Sequence, residues 1–133
     1  MKAKSLTQDE RNDRIRKFNK TLELLNQVEG ITAQAYARGY MYAFSGKCPE
    51  LGISFKGDIV MGDTATPMER DVLSMSLHRL DRANEDVRKQ MMVDGDTRER
   101  FYRKIRNIGI PFDIKVCYCI NNPLVYIHRH EWV

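Results

Sequence analysis

No stretch of this sequence approaches the roughly 18 consecutive apolar residues that a membrane-spanning helix needs, which excludes a helical membrane protein. The opening residues MKAKSLTQDERND lack the apolar core of a secretory signal, so a cytoplasmic location is expected. Cysteine is scarce. Cys48, Cys117 and Cys119 are an odd number at spacings that form no disulfide framework, and free thiols in a reducing compartment are expected. Four prolines and eight scattered glycines leave no flexible linker, no collagen-like period and no dinucleotide or phosphate-cradling loop. Motifs of the G-x-S-x-G and H-E-x-x-H type are also missing, so no cofactor is indicated and the reading is non-enzymatic.

What is there suits a single folded unit. Hydrophobic residues make up 42% of the 133 residues and charged residues 30%, and a chain of this length buries roughly two-thirds of its unfolded surface around one core. One α+β domain over residues 1–133 is therefore expected. Twenty-two Lys and Arg against 18 Asp and Glu give a net charge of +4. The excess sits at the ends: residues 1–30 carry seven basic against five acidic side chains, and residues 96–133 carry seven against four.

Thr7-Gln8-Asp9-Glu10 forms a capping box for a helix with Ile15, Phe18, Leu22 and Leu25 on one stripe, stopped by Gly30. In Thr32 to Phe44, Tyr36, Tyr40 and Phe44 share a helical face, so a second helix is expected, with these aromatics and Tyr42 used for packing. A loop follows at 45–49. Ile53–Phe55 and Ile59–Met61 read as short strand pieces around Gly57-Asp58, either a tight hairpin or one bulged strand. Thr66-Pro67-Met68-Glu69 signals a helix start, and Met68, Val72, Leu80, Ala83, Val87 and Met91 keep helical phase for about six turns. Arg82 with Asp86 and Glu85 with Lys89 would sit one turn apart on its wet face. A further box at Asp96–Glu99 opens a short helix facing inward with Phe101, Ile105 and Ile108, closed by Gly109. Beyond Pro111, residues 112–120 alternate strictly, with Ile114, Val116, Tyr118 and Ile120 as the apolar face. Asn121-Asn122-Pro123 turns the chain, and residues 124–132 return as a second strand. The expected architecture is three to four helices packed on a small antiparallel sheet that ends in a C-terminal β-hairpin.

Two constellations stand out. On the basic helix, Arg103 and Arg106 point away from the apolar stripe, with Arg100 and Tyr102 at its flanks. Guanidinium groups suit phosphate oxygens, and Tyr102 could stack on a base. Arg14 and Lys17 extend the basic character to the first helix. The plain alternative is a solvated charged face favoured by the helix dipole.

The second constellation is Cys117-x-Cys119 with His128-x-His130, which could close a tetrahedral site if all four share a face. Strand register decides this: with Cys117 opposite His128 they share a face, and a slip of one residue separates them. Read conservatively, the cysteines are small fillers and the histidines sheet-surface residues, and no metal is expected. His78 and Asp81 read as part of a polar face rather than an acid–base site. The functional expectation is a nucleic-acid-binding or accessory regulatory protein. The alternatives are an adaptor or inhibitor that masks a partner protein and, more distantly, a metal-dependent enzyme. A homo-oligomer is compatible with the sequence.

Overall fold

The structure, a computed structural model, describes residues 6–38, 41–59, 71–121 and 126–133. Helix α1 (Gln8–Gln27) leads into strands β1 (Thr32–Arg38), β2 (Met41–Cys48), β3 (Ile53–Ile59) and β4 (Val72–Arg79). A single helical turn, α2 (Val87–Gln90), and helix α3 (Gly95–Ile105) precede β5 (Asp113–Asn121) and β6 (Tyr126–Trp132). The strands form one six-stranded sheet in the order β1-β2-β3-β4-β5-β6. Every neighbouring pair is antiparallel except β4 and β5, which run parallel. A parallel join needs a crossover, and α2 and α3 supply it. The class is α+β. The sheet is larger than expected and mixed, and the described helices number three.

The capping box forms as expected: the Glu10 amide donates to the Thr7 hydroxyl and the Thr7 amide to the Glu10 carboxylate, both at 3.1 Å. Past the helix end, Gly30 takes the left-handed backbone that closes the turn, at φ 84°. Asn26 then clamps α1 to β1, donating to the Ala33 carbonyl at 2.9 Å and accepting from its amide at 2.8 Å.

Two expected helices are strands instead. Thr32–Phe44 is largely the β1–β2 pair, because spacings of four are also even numbers and fit a period of two. Ala33 and Ala35 alternate with Thr32, Gln34 and Tyr36 on opposite faces. The strand β2 runs on through the segment expected to be a loop. The predicted helix over 68–91 is replaced over 72–79 by β4, where Leu73, Met75 and Leu77 are buried and Ser74, Ser76 and His78 alternate with them. Its start signal at 66–69 lies outside the described residues, as do Tyr40, Val60, Met61, Asn122 and Pro123. Arg82 pairs with Glu85 at 2.8 Å, and Arg88 with Asp86 at 3.0 Å, in place of the one-turn pairs expected. Residues 53–59 form one strand. The α3 cap is Asp94, whose carboxylate accepts from the Thr97 amide at 2.8 Å, two residues before the predicted box.

Helices α1 and α3 cover one face of the sheet. A run of aromatic rings crosses that interface: Phe18 lies 6.0 Å from Phe44, Phe44 6.1 Å from Phe55, and Phe55 5.2 Å from Phe101. Leu25, Ile53, Ile59, Leu73, Met75, Leu77, Ile105 and Val116 complete the core. Arg98 ties α3 to the last two strands. It pairs with Glu131 at 2.5 Å, donates to the Val93 carbonyl at 2.6 Å and lies 3.8 Å above the Tyr118 ring.

Candidate functional site

The helical residues picked out by sequence separate into two groups. Arg100, Arg103 and Arg106 are exposed on α3, as their phase requires. Each faces an acid of its own helix: Arg100 pairs with Asp96 at 3.0 Å, and Glu99 receives Arg103 at 3.6 Å and Arg106 at 3.3 Å. Lys17 likewise pairs with Asp13 at 3.2 Å. Tyr102 is only 2% exposed and Arg14 6%. The Tyr102 ring belongs to the core, and burial pushes its phenol well above the usual range. A ring held there presents no face to a base.

On the other face of the sheet, cations lie without acid partners among the described residues. Pairing register places Thr32, Gln34 and Tyr36 of β1, Ser45 and Lys47 of β2, and Ser54, Lys56 and Asp58 of β3 on it. Ser74, Ser76 and His78 of β4 follow, then Lys115, Cys117 and Cys119 of β5, and His128, His130 and Trp132 of β6. Lys47, Lys56, His128, His130 and Trp132 are exposed, and Trp132, the single tryptophan of the chain, shows 62% of its surface. An open groove of about 350 Å³ runs across β1–β3, with Lys47, Lys56, Gln34 and Ser54 in its lining. Among the described residues no carboxylate lies within ion-pair distance of Lys47, Lys56 or Lys115. Sequence reasoning missed this face, because β1, β4 and the first half of β2 read as helices.

At the β5–β6 edge the same face carries the cysteines and histidines. Cys117 stands opposite His130 and Cys119 opposite His128. This register differs by two residues from the one considered from sequence. An even shift preserves the side, so all four share a face. The Cys117 Sγ lies 3.1 Å from His130 Nδ1, and Cys119 Sγ 3.9 Å from His128 Nδ1. The imidazoles meet edge to face with centroids 5.0 Å apart. Donor atoms of Cys117, His128 and His130 all fall within 4.8 Å of one another, whereas Cys119 lies outside that group. Burial pushes both thiols above their ordinary range, so they are protonated at neutral pH. Burial, then Lys115 and His128, holds His130 below its ordinary value. One sulfur and two imidazole donors therefore converge on the surface of the hairpin.

No family model, curated protein or solved structure matches this chain.

Proposed function

We propose that the protein is a non-enzymatic domain that binds single-stranded nucleic acid on the open face of its sheet. The observation that carries this reading is a six-stranded sheet with one face bearing Lys47, Lys56 and Lys115 without acid partners among the described residues, alongside the exposed ring of Trp132. Acids on this face are limited to Asp58 and Asp113 among the described residues. Lysines track a phosphate backbone, and an exposed aromatic ring stacks on unpaired bases. A sheet surface suits splayed single strands better than a duplex groove, which admits a helix or a narrow ribbon. The exposed arginines of α3 form a second cationic surface, but one already matched by Asp96 and Glu99.

Binding is measured by fluorescence anisotropy of single-stranded DNA and RNA oligomers at about 50 and 200 mM salt, with Trp132 emission as an internal reporter. Affinity should fall by an order of magnitude or more between the two, because each phosphate contact contributes about 0.7 to the slope on single strands. The pair Lys56→Glu and Lys115→Glu should weaken binding and flatten that slope by one unit or more, while Arg103→Ala with Arg106→Ala should change it less. If the arginine pair carries the effect instead, α3 is the contact surface. A parent protein without oligonucleotide affinity at low salt sinks the reading and favours a protein partner.

A further inference from the structure

We infer that Cys117, His128 and His130 form a binding site for a zinc-class divalent metal ion, with solvent in the fourth position. The inference is independent of nucleic-acid binding, since it rests on the hairpin alone. A thiolate and two imidazoles are the borderline-soft donors that zinc prefers over calcium or magnesium, whose sites are built from oxygen.

Geometry supports this set. Zinc–sulfur bonds near 2.3 Å and zinc–nitrogen bonds of about 2.0–2.1 Å, at tetrahedral angles, separate the donors by roughly 3.3–3.6 Å. The Cys117 Sγ to His130 Nδ1 distance of 3.1 Å is about half an ångström shorter than a sulfur–nitrogen pair on one zinc ion needs. The remaining donor separations, all within 4.8 Å, require movements of about an ångström. His128 and His130 are exposed, so rotation about their side-chain bonds achieves this without disturbing the core. The backbone supplies the rest. Cross-strand pairing holds Cys117 against His130, and the strand period of two brings His128 to the same side. Cys119 is 6% exposed and its sulfur lies outside the converging group, which leaves the fourth position to water.

Binding would exchange the Cys117 S–H bond for a metal–sulfur bond and release one proton to solvent, while each neutral imidazole gives a lone pair. Affinity should therefore rise with pH. Because β6 is the edge strand, an ion held from both strands would also fasten that edge to the sheet.

The test is titration of the reduced full chain with cobalt(II), a spectroscopic stand-in for zinc, followed by competition with zinc. The expected result is a thiolate-to-cobalt charge-transfer band at one equivalent, displaced by zinc, together with a zinc-dependent rise in the melting temperature. Cys117→Ser and His130→Asn should abolish the band while keeping the far-UV spectrum of the parent, since neither side chain is in the core. Cys119→Ser should retain it. No band in the parent, or a band that survives Cys117→Ser and vanishes in Cys119→Ser, overturns the assignment.

Discussion

Single residues set the thickness of the core. Phe44 faces Gly57 across β2 and β3, and Phe55 faces Gly46. A methyl group at position 57 would stand 2.4 Å from the Phe44 ring, and one at 46 would stand 2.3 Å from the Phe55 ring and 2.5 Å from the Thr32 carbonyl oxygen. Each ring thus occupies the space above a glycine, and the glycines are required by close approach rather than by backbone conformation. Gly57→Ala should destabilise the protein by about 1–3 kcal/mol, the usual cost of overpacking, read as a lower urea midpoint with unchanged m. A neutral outcome would mean that Phe44 has room to move. His78 offers a test in pH. Its Nδ1 is buried with no hydrogen-bond partner among the described residues, and burial, then the Lys56 charge, holds its pKa below the ordinary 6.5. The folded state keeps the imidazole neutral while the unfolded chain protonates it near 6.5. Stability from this group is therefore complete above about pH 6.5 and declines as pH falls through the window below it. Urea midpoints at pH 5, 6 and 7 should show this decline in the parent and a shallower one in His78→Gln; equal slopes would refute it.

At the scale of elements, β5 shows how a period of two divides labour. Val116 is fully buried, and Lys115 beside it lies on the open face. Val116→Asp places an unpaired charge in the core and should cost about 3 kcal/mol or more, enough to unfold much of the population. Lys115→Ala should stay within about 0.5 kcal/mol. Circular dichroism melts of the two variants separate the cases, and equal losses would contradict the face assignment. The same strand departs from its simple pattern toward its C-terminal end. Tyr118 is half-buried under Arg98, and Ile120 is 38% exposed. Strand β4 ends its pairing with β5 at Cys117, and beyond it the Cys119 amide donates to the Met91 carbonyl at 3.1 Å. That exchange of partners explains why Cys119, on the open face, is nevertheless buried.

For the molecule as a whole, one face of the sheet is committed to α1 and α3, while the other exposes Lys47, Lys56, His128, His130 and Trp132. The three cysteines, all free thiols, report on this division. Cys48 is fully buried on the helix-covered side, Cys119 is screened at the end of β5, and Cys117 is the accessible one. A thiol reagent added to the native protein should therefore modify Cys117 first, with Cys48 and Cys119 following at the rate of opening. All three should react together in denaturant. Simultaneous modification of all three in the native state would show that the core opens far more readily than its packing implies.

The sequence by itself determined the features that depend on neighbours along the chain. The capping box at Thr7, the stripe through Phe18 and Leu25, the inward face of Phe101 and Ile105, and the alternation at the start of the 112–120 run, with Ile114 and Val116 inward, are all local patterns, and all are present. Only the tertiary structure decided whether Thr32–Phe44 and Val72–Arg79 are strands, because their apolar spacings fit both periods until a neighbouring strand accepts their hydrogen bonds. The open face followed from that decision and was invisible without it. The hairpin cluster divides in the same way. Cys117, Cys119, His128 and His130 were conspicuous in the sequence, but whether they meet depends on register. Register is fixed by which residues of β5 must turn inward against β4 and α3, a constraint that lies elsewhere in the chain.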